Sequence, residues 1–278
     1  MRFVSPSILC LVLVVLTAGP ARAQEPVADR VPVPLSDPGR PVTLKVHLIE
    51  GGITVKGSDT KEVIVEARPR VSRRRERSSE KTEGMTRLVI AGTGLSVTEE
   101  HNVVDVSAMS HSRAVDLVIS VPVKTSVKLG CVNSGDITVE NVSGELEVNN
   151  VNGSVTLTGV SGSAVAHALN GNVTAVFREV TPAKAMSFSS MNGKIDVSFP
   201  AGLKANVVVK SDNGDVLSDF DIRLDQSARK PIVEDGRDKG GKYRVRIDKA
   251  VYGTINGGGA EIKFQNFNGN IYIRKATK

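Results

Sequence analysis

The chain has 278 residues, a formal net charge of +6, 24% charged residues, 4% aromatics, no tryptophan and two cysteines. A positive balance this small, diluted by acidic residues, gives no argument for a nucleic-acid partner, and two cysteines cannot build a disulfide framework. The length suits one elongated repeat domain or two compact ones.

Arg2 precedes an apolar run at residues 8–16, and Ala21-Arg22-Ala23 precedes Gln24. Residues 1–23 therefore read as a secretory signal peptide, with an apolar core too short to span a bilayer and a small-residue cleavage point. Cys10 lies inside that core behind Leu9, where a lipoprotein anchor would want a small residue, so no lipid is expected. Cys131 is then the only cysteine of the mature chain, and an intrachain disulfide is excluded. Residues 24–41 carry Pro26, Pro32, Pro34, Pro38 and Pro41 and read as a Pro-rich N-terminal linker or arm.

Residues 42–278 read as one domain. Alternation over 43–48, the pair Gly51-Gly52, Ile53-Thr54-Val55 and Val63-Ile64-Val65 look like irregular first coils or a cap, since terminal repeats must end a stack without leaving an open edge. Residues 68–84 break the rhythm with Arg68, Arg70, Arg73, Arg74, Arg75, Arg77 and Lys81 among Glu76, Glu80 and Glu83. This is a solvated loop, or alternatively an arm for a polyanion such as an acidic glycan or lipid phosphate. Short strands are expected at 88–90, 95–98, 103–106, 115–121 and 126–129.

An internal repeat follows. Gly135, Gly144, Gly153, Gly162 and Gly171 are nine residues apart. The second residue after each is Ile137, Leu146, Val155, Ala164 and Val173, the fourth is Val139, Val148, Leu157, Ala166 and Ala175, and both positions are apolar throughout. The seventh is Val142, Val151, Val160 and Leu169 in the first four units. Period-two alternation sends the second and fourth residues to one face of a strand, and a Ser-Gly or Asn-Gly pair is expected to supply positive φ at a corner. A strand this short cannot bury its inward face alone, so the units stack. Asn152-Gly153 and Asn170-Gly171 are eighteen apart with Ser161-Gly162 midway, so two units make one coil. The coils then lengthen, with Asn192-Gly193 and Asn213-Gly214 following at spacings of 22 and 21. A second polar interruption at 225–242 precedes a strand at 243–247, and Asn268-Gly269 restores the corner motif. The expected fold is all-β: a single parallel β-solenoid, two short strands per coil of about 18–22 residues, inward residues including Ile195 and Val197, and almost no helix.

Catalytic or ligand chemistry is sparse. His47, His101, His111 and His167 are scattered without metal spacing. A calcium-binding nonapeptide roll shares the period but needs an acidic residue after its glycines. Here that position holds Asp136, Glu145, Ser154, Ser163, Asn172, Lys194, Asp215 and Asn270, of which three are acidic. Asp136 and Glu145 could be offered as the acid and base of a polysaccharide-active enzyme, but nine residues apart they fall on opposite sheets. Asn149, Asn152, Asn170, Asn192, Asn213 and Asn268 read as corner residues whose amides can bond from coil to coil. Aromatic platforms of the kind sugar-binding faces use are missing from residues 24–176.

Three stretches together, Val118-Ile119-Ser120-Val121-Pro122, Val132-Asn133-Ser134-Gly135-Asp136-Ile137, and the Asn-Gly series ending in Asn268-Gly269-Asn270-Ile271, resemble a bacterial family of exported repeat proteins, a domain of unknown function labelled "putative adhesin". The resemblance covers residues 42–275 and implies a β-solenoid in the cell envelope with an adhesive role. Its motifs are corners, so it transfers no catalytic residues. The expectation is a non-catalytic exported protein, in the periplasm, on the cell surface or outside the cell, with an adhesin-like or scaffold role. It would need no cofactor or metal and would meet an envelope component, glycan or protein, not nucleic acid. The alternatives are a polyanion-binding module working through Arg68–Arg77 and a polysaccharide-active solenoid enzyme.

Overall fold

The computed structural model describes residues 29–70, 93–108, 114–225, 232–235, 243–246 and 250–276. In chain order the strands are β1 (Asp29–Pro34), β2 (Val42–Glu50), β3 (Ile53–Ser58), β4 (Glu62–Pro69), β5 (Leu95–Glu100), β6 (Val103–Ala108), β7 (Val115–Pro122) and β8 (Thr125–Asn133). The repeat region gives β9 (Ile137–Glu140), β10 (Ser143–Asn152), β11 (Val155–Asn170), β12 (Val173–Val180), β13 (Met186–Asn192), β14 (Ile195–Phe199), β15 (Ala205–Asn213) and β16 (Val216–Ser218). Then come β17 (Ile222–Leu224), the isolated antiparallel hairpin β18 (Ile232–Asp235) and β19 (Tyr243–Arg246), β20 (Val251–Ile255), β21 (Ala260–Asn268) and β22 (Ile271–Lys275). No helix occurs among the described residues.

Two parallel walls face each other, and β11 belongs to both because it turns the corner at Ser161-Gly162. The first wall runs β6, β2, β8, β10, the second half of β11, β13, β21, β15. The second runs β7, β3, β9, the first half of β11, β12, β14, β22, β16. Each coil lends one strand to each wall, so this is a parallel β-solenoid. Alternation places Ile137, Val139, Val155, Leu157, Val173, Ile195 and Val197 at 0% exposure between the walls, with Val148 at 0% and Leu146 at 2%. Interior volume is balanced along the stack. Ala164, Ala166, Ala168 and Ala175 share one coil with Phe177, which stacks on Phe199 of the next coil at 5.3 Å between centroids, as Phe188 stacks on Phe264 at 5.5 Å.

The stacking order departs from chain order at both ends. The coil β2–β3 sits between the coil β6–β7 and the coil β8–β9, and the coil β21–β22 sits between β13–β14 and β15–β16. Each end of the chain thus fills a penultimate slot with hydrogen-bonded neighbours on both edges, where an outermost coil would fray. Antiparallel strands close most open edges: β5 on β6, β4 and then β1 on β7, β20 and then β17 on β15.

The stretch expected as a linker contains β1, which corrects that reading. Val33 and Leu35 are buried at 7% and 8%, while Pro32 and Pro34 face out on the edge strand. Proline cannot donate to a further strand, so at an edge it terminates pairing while the valines still pack inward. The strand expected at 88–90 lies outside the described residues.

Candidate functional surfaces at the asparagine corner

One corner organises the stack. Gly51, Gly135, Gly153, Gly171, Gly193, Gly269 and Gly214 form a column in coil order. A methyl on Gly135 would lie 2.0 Å from Gly51 O, on Gly153 2.1 Å from Gly135 O, on Gly171 2.2 Å from Gly153 O, and on Gly193 2.2 Å from Gly171 O. Positive φ occurs in this column at Gly51, Gly269 and Gly214 only. The expectation that a Ser-Gly or Asn-Gly pair supplies left-handed backbone holds for Ser134-Gly135, through Ser134 at φ 60°, and for Gly162, Gly214 and Gly269, and is corrected for Gly144, Gly153, Gly171 and Gly193. Gly135, Gly153, Gly171 and Gly193 are required because the next coil's carbonyl occupies the space of a Cβ. At the opposite corner Gly144 and Gly162 stack on Thr125 O and Gly144 O in the same way.

Three rows of side chains stitch this corner. On its outer side Asn152 Nδ2 donates to Asn133 Oδ1 at 3.0 Å, Asn170 to Asn152 at 3.0 Å, Asn192 to Asn170 at 2.8 Å, Asn268 to Asn192 at 2.9 Å and Asn213 to Asn268 at 3.1 Å. Asn149 stands outside this ladder, and Asn133, which precedes Ser134 rather than a glycine, belongs to it. After the glycines, Asp136 Oδ1 accepts Ser154 N, Ser154 Oγ accepts Asn172 N, Asn172 Oδ1 accepts Lys194 N and Asn270 Oδ1 accepts Asp215 N, at 2.7–3.3 Å. That row accounts for the Asp, Ser and Asn residues that follow these glycines, as acceptors for the neighbouring coil's backbone N–H. Inside the corner, Asn150 Nδ2 donates to Gly135 O and Ser154 O, Ser190 Oγ to Gly171 O, Asn266 Nδ2 to Gly193 O and Gly269 O, and Cys131 Sγ to Gly51 O. Burial pushes the Cys131 thiol up, so it is a corner donor rather than a thiolate.

Beside the ladder runs a solvent-facing apolar ridge: Ile49, Val132, Val151, Leu169, Met191 and Phe267, one from each of six successive coils, with Asp212 following in the last. Ile49, Met191 and Phe267 are 40%, 45% and 46% exposed. Val142 and Val160, at the same repeat position on the other corner, are 1% and 0% exposed. The core therefore uses that position at one corner and leaves it outside at the other.

The charged candidates are dispersed. Arg68 lies 3.7 Å from Glu66, and Arg70 grips the Asp116 carboxylate and Ser134 O. Arg73, Arg74, Arg75 and Arg77 lie outside the described residues. Asp136 sits in the corner before β9, whereas Glu145 on β10 is 2.8 Å from Lys184, whose ammonium it holds above the usual lysine range. The outer face of the first wall has a shallow concavity of about 560 Å³, lined among others by Lys45, Lys128, Glu145, Glu147 and Lys184, and Lys128 pairs with Glu147 at 3.1 Å. His167 Nδ1 meets Ser189 Oγ at 2.8 Å on that face. Among the described residues no three His, Cys, Asp or Glu are grouped to hold a metal, and no helix is long and apolar enough to cross a membrane.

The fold and its corner define a repeat protein of the parallel β-solenoid class. Residues 131–257 match the Toastrack DUF4097 family model. The match runs from the end of β8 to the turn after β20 and leaves out the β21–β22 coil. Among solved structures the chain is similar to a putative cell adhesion protein from Clostridium sporogenes, at 12% identity and a TM-score of 0.44 over 91% of this chain and 100% of that one. It is also similar to a putative adhesin from Bacteroides fragilis, at 9% identity and a TM-score of 0.37 over 90% and 97%. Likeness at these scores carries no argument about what this chain does. No curated protein matches the sequence.

Proposed function

We propose that this chain is a non-catalytic, exported envelope protein with an adhesin-like or scaffold role, binding a protein partner along the ridge Ile49, Val132, Val151, Leu169, Met191, Phe267. The ridge carries the reading. Six coils at about 4.8 Å each give an apolar strip on the order of 24 Å long, on a corner whose stitching is already complete without it. Aliphatic and thioether groups beside neutral amides suit a protein surface. The leader pattern at residues 1–23 supports export, and the dispersed carboxylates favour binding over turnover.

The test is complementation of a deletion strain. Met191→Ser with Phe267→Ser trims two side chains outside the core, 45% and 46% exposed, so the protein still melts cooperatively, at a modestly lower temperature, while envelope integrity or attachment falls to the deletion level. A well-folded double variant that restores the wild-type phenotype refutes the ridge. Polysaccharide turnover lost on Asp136→Asn or Glu145→Gln would instead establish the enzyme, and salt-sensitive binding to anionic vesicles lost when Arg73, Arg74 and Arg75 become Ser would establish the polyanion module.

A further inference from the structure

One sheet edge differs from the others. The inward column of the second wall runs Leu117, Ile53, Ile137, Val155, Val173, Ile195, Ile271 at 0–1% exposure and ends on Val216 at 43%. At the opposite end the same column is sealed, since Ala67 of β4 pairs with Leu117 and is itself 0% exposed. Among the described residues β16 pairs with β22 alone. Ile271 N donates to Asp215 O and Asp219 N donates to Ile273 O, both at 2.9 Å. Strand alternation then turns the N–H and C=O of Val216 and Ser218 to the free side.

We propose that the free edge of β16 is a docking site for an extended, basic strand from another protein. Such a strand continues the second wall, pairs with Val216 and Ser218, and covers the open end of the core column with an apolar side chain. The charge around the edge selects the occupant. Asp212, Asp215, Asp219 and Asp221 are all exposed, and residues 212–221 contain no lysine or arginine. Two copies meeting edge to edge through β16 would bring those aspartates together, which disfavours that pairing. A head-to-tail stack would have to seat β16 on β1, whose Pro32 and Pro34 lack N–H groups. A cationic partner strand meets neither obstacle, and it needs nothing from the apolar ridge.

The probe is a fluorescent heptapeptide of alternating lysine and valine, titrated into the full mature chain, with a glutamate–valine peptide as control. The lysine–valine peptide binds, its affinity falls as salt rises, and the amides of Val216 and Ser218 exchange about tenfold more slowly in the complex. Val216→Lys puts a charge at an already exposed edge position and weakens binding about tenfold or more with little change in melting temperature. Asp212→Asn with Asp221→Asn flattens the salt dependence while leaving β16 intact. Equal binding of the glutamate–valine peptide, no added protection at Val216 and Ser218, or unchanged affinity in Val216→Lys overturns the proposal. So does sedimentation showing that the purified chain self-associates through Val216, which makes a second copy the occupant.

Discussion

Replacing Gly171 with alanine tests why the corner glycines are there. The new Cβ would lie 2.2 Å from Gly153 O, and reaching a tolerable 3.0 Å requires the two coils to separate locally by about 0.8 Å. That opening strains Val155 N to Asn172 O at 2.8 Å and the Asn170–Asn152 amide bond at 3.0 Å, which flank the contact. Overpacking costs about 1–3 kcal/mol and each weakened bond about 0.5–1.5 kcal/mol, so the expected loss is about 3–4 kcal/mol. For a chain of this length that lowers the melting temperature by about 10 °C. Two further variants isolate the cause. Gly202, with nothing within 4 Å of a built Cβ, should accept alanine at no cost or gain up to about 1 kcal/mol. Gly171→Asn should be at least as damaging as Gly171→Ala, because φ at this site is not positive. Thermal melts that leave Gly171→Ala at the wild-type temperature, or show asparagine clearly better tolerated than alanine, refute the steric account.

Deleting residues 260–278 removes the β21–β22 coil from inside the stack, leaving β13 and β15 two strand spacings apart. Circular dichroism should show loss of the cooperative transition, whereas deleting residues 24–34 takes only the edge strand β1 and should preserve one at lower temperature. Glu99 Oε1 accepts Ser36 N at 3.1 Å and Asn102 N at 2.9 Å, and these backbone donors hold its carboxyl below the usual range. A carboxyl lowered in the folded state stabilises above its unfolded pKa and loses that contribution as pH falls through the lower, folded value. Protection of the Ser36 and Asn102 amides, measured as exchange relative to the intrinsic rate at each pH, should therefore fall through that acid window, and Glu99→Gln should abolish the change; an unaltered profile in the variant would contradict the assignment.

The nine-residue period, the apolar second and fourth positions and the Asn-Gly corners suffice to specify a stack of short parallel strands, because a two-residue alternation beside a fixed corner leaves one way to bury the side chains. They do not specify which coil neighbours which. Every coil presents the same edge, so the placement of β21–β22 between β14 and β16 depends on long-range pairing that local pattern cannot encode. The seventh position shows the same limit. Val142 and Val160 are core while Val151 and Leu169 are ridge, although all four occupy one repeat position, because the two corners close with different geometry. Likewise Ser154, Asn172 and Asn270 look like polar turn residues in sequence, and only the neighbouring coil reveals the backbone N–H that each accepts. Pro32 and Pro34 read as linker because proline composition carries no information about an edge; the edge exists once β4 has folded against β7. Periodicity determined the kind of coil, and the tertiary structure decided its neighbours, its exposed corner and its open end, since those depend on contacts between residues far apart in the chain.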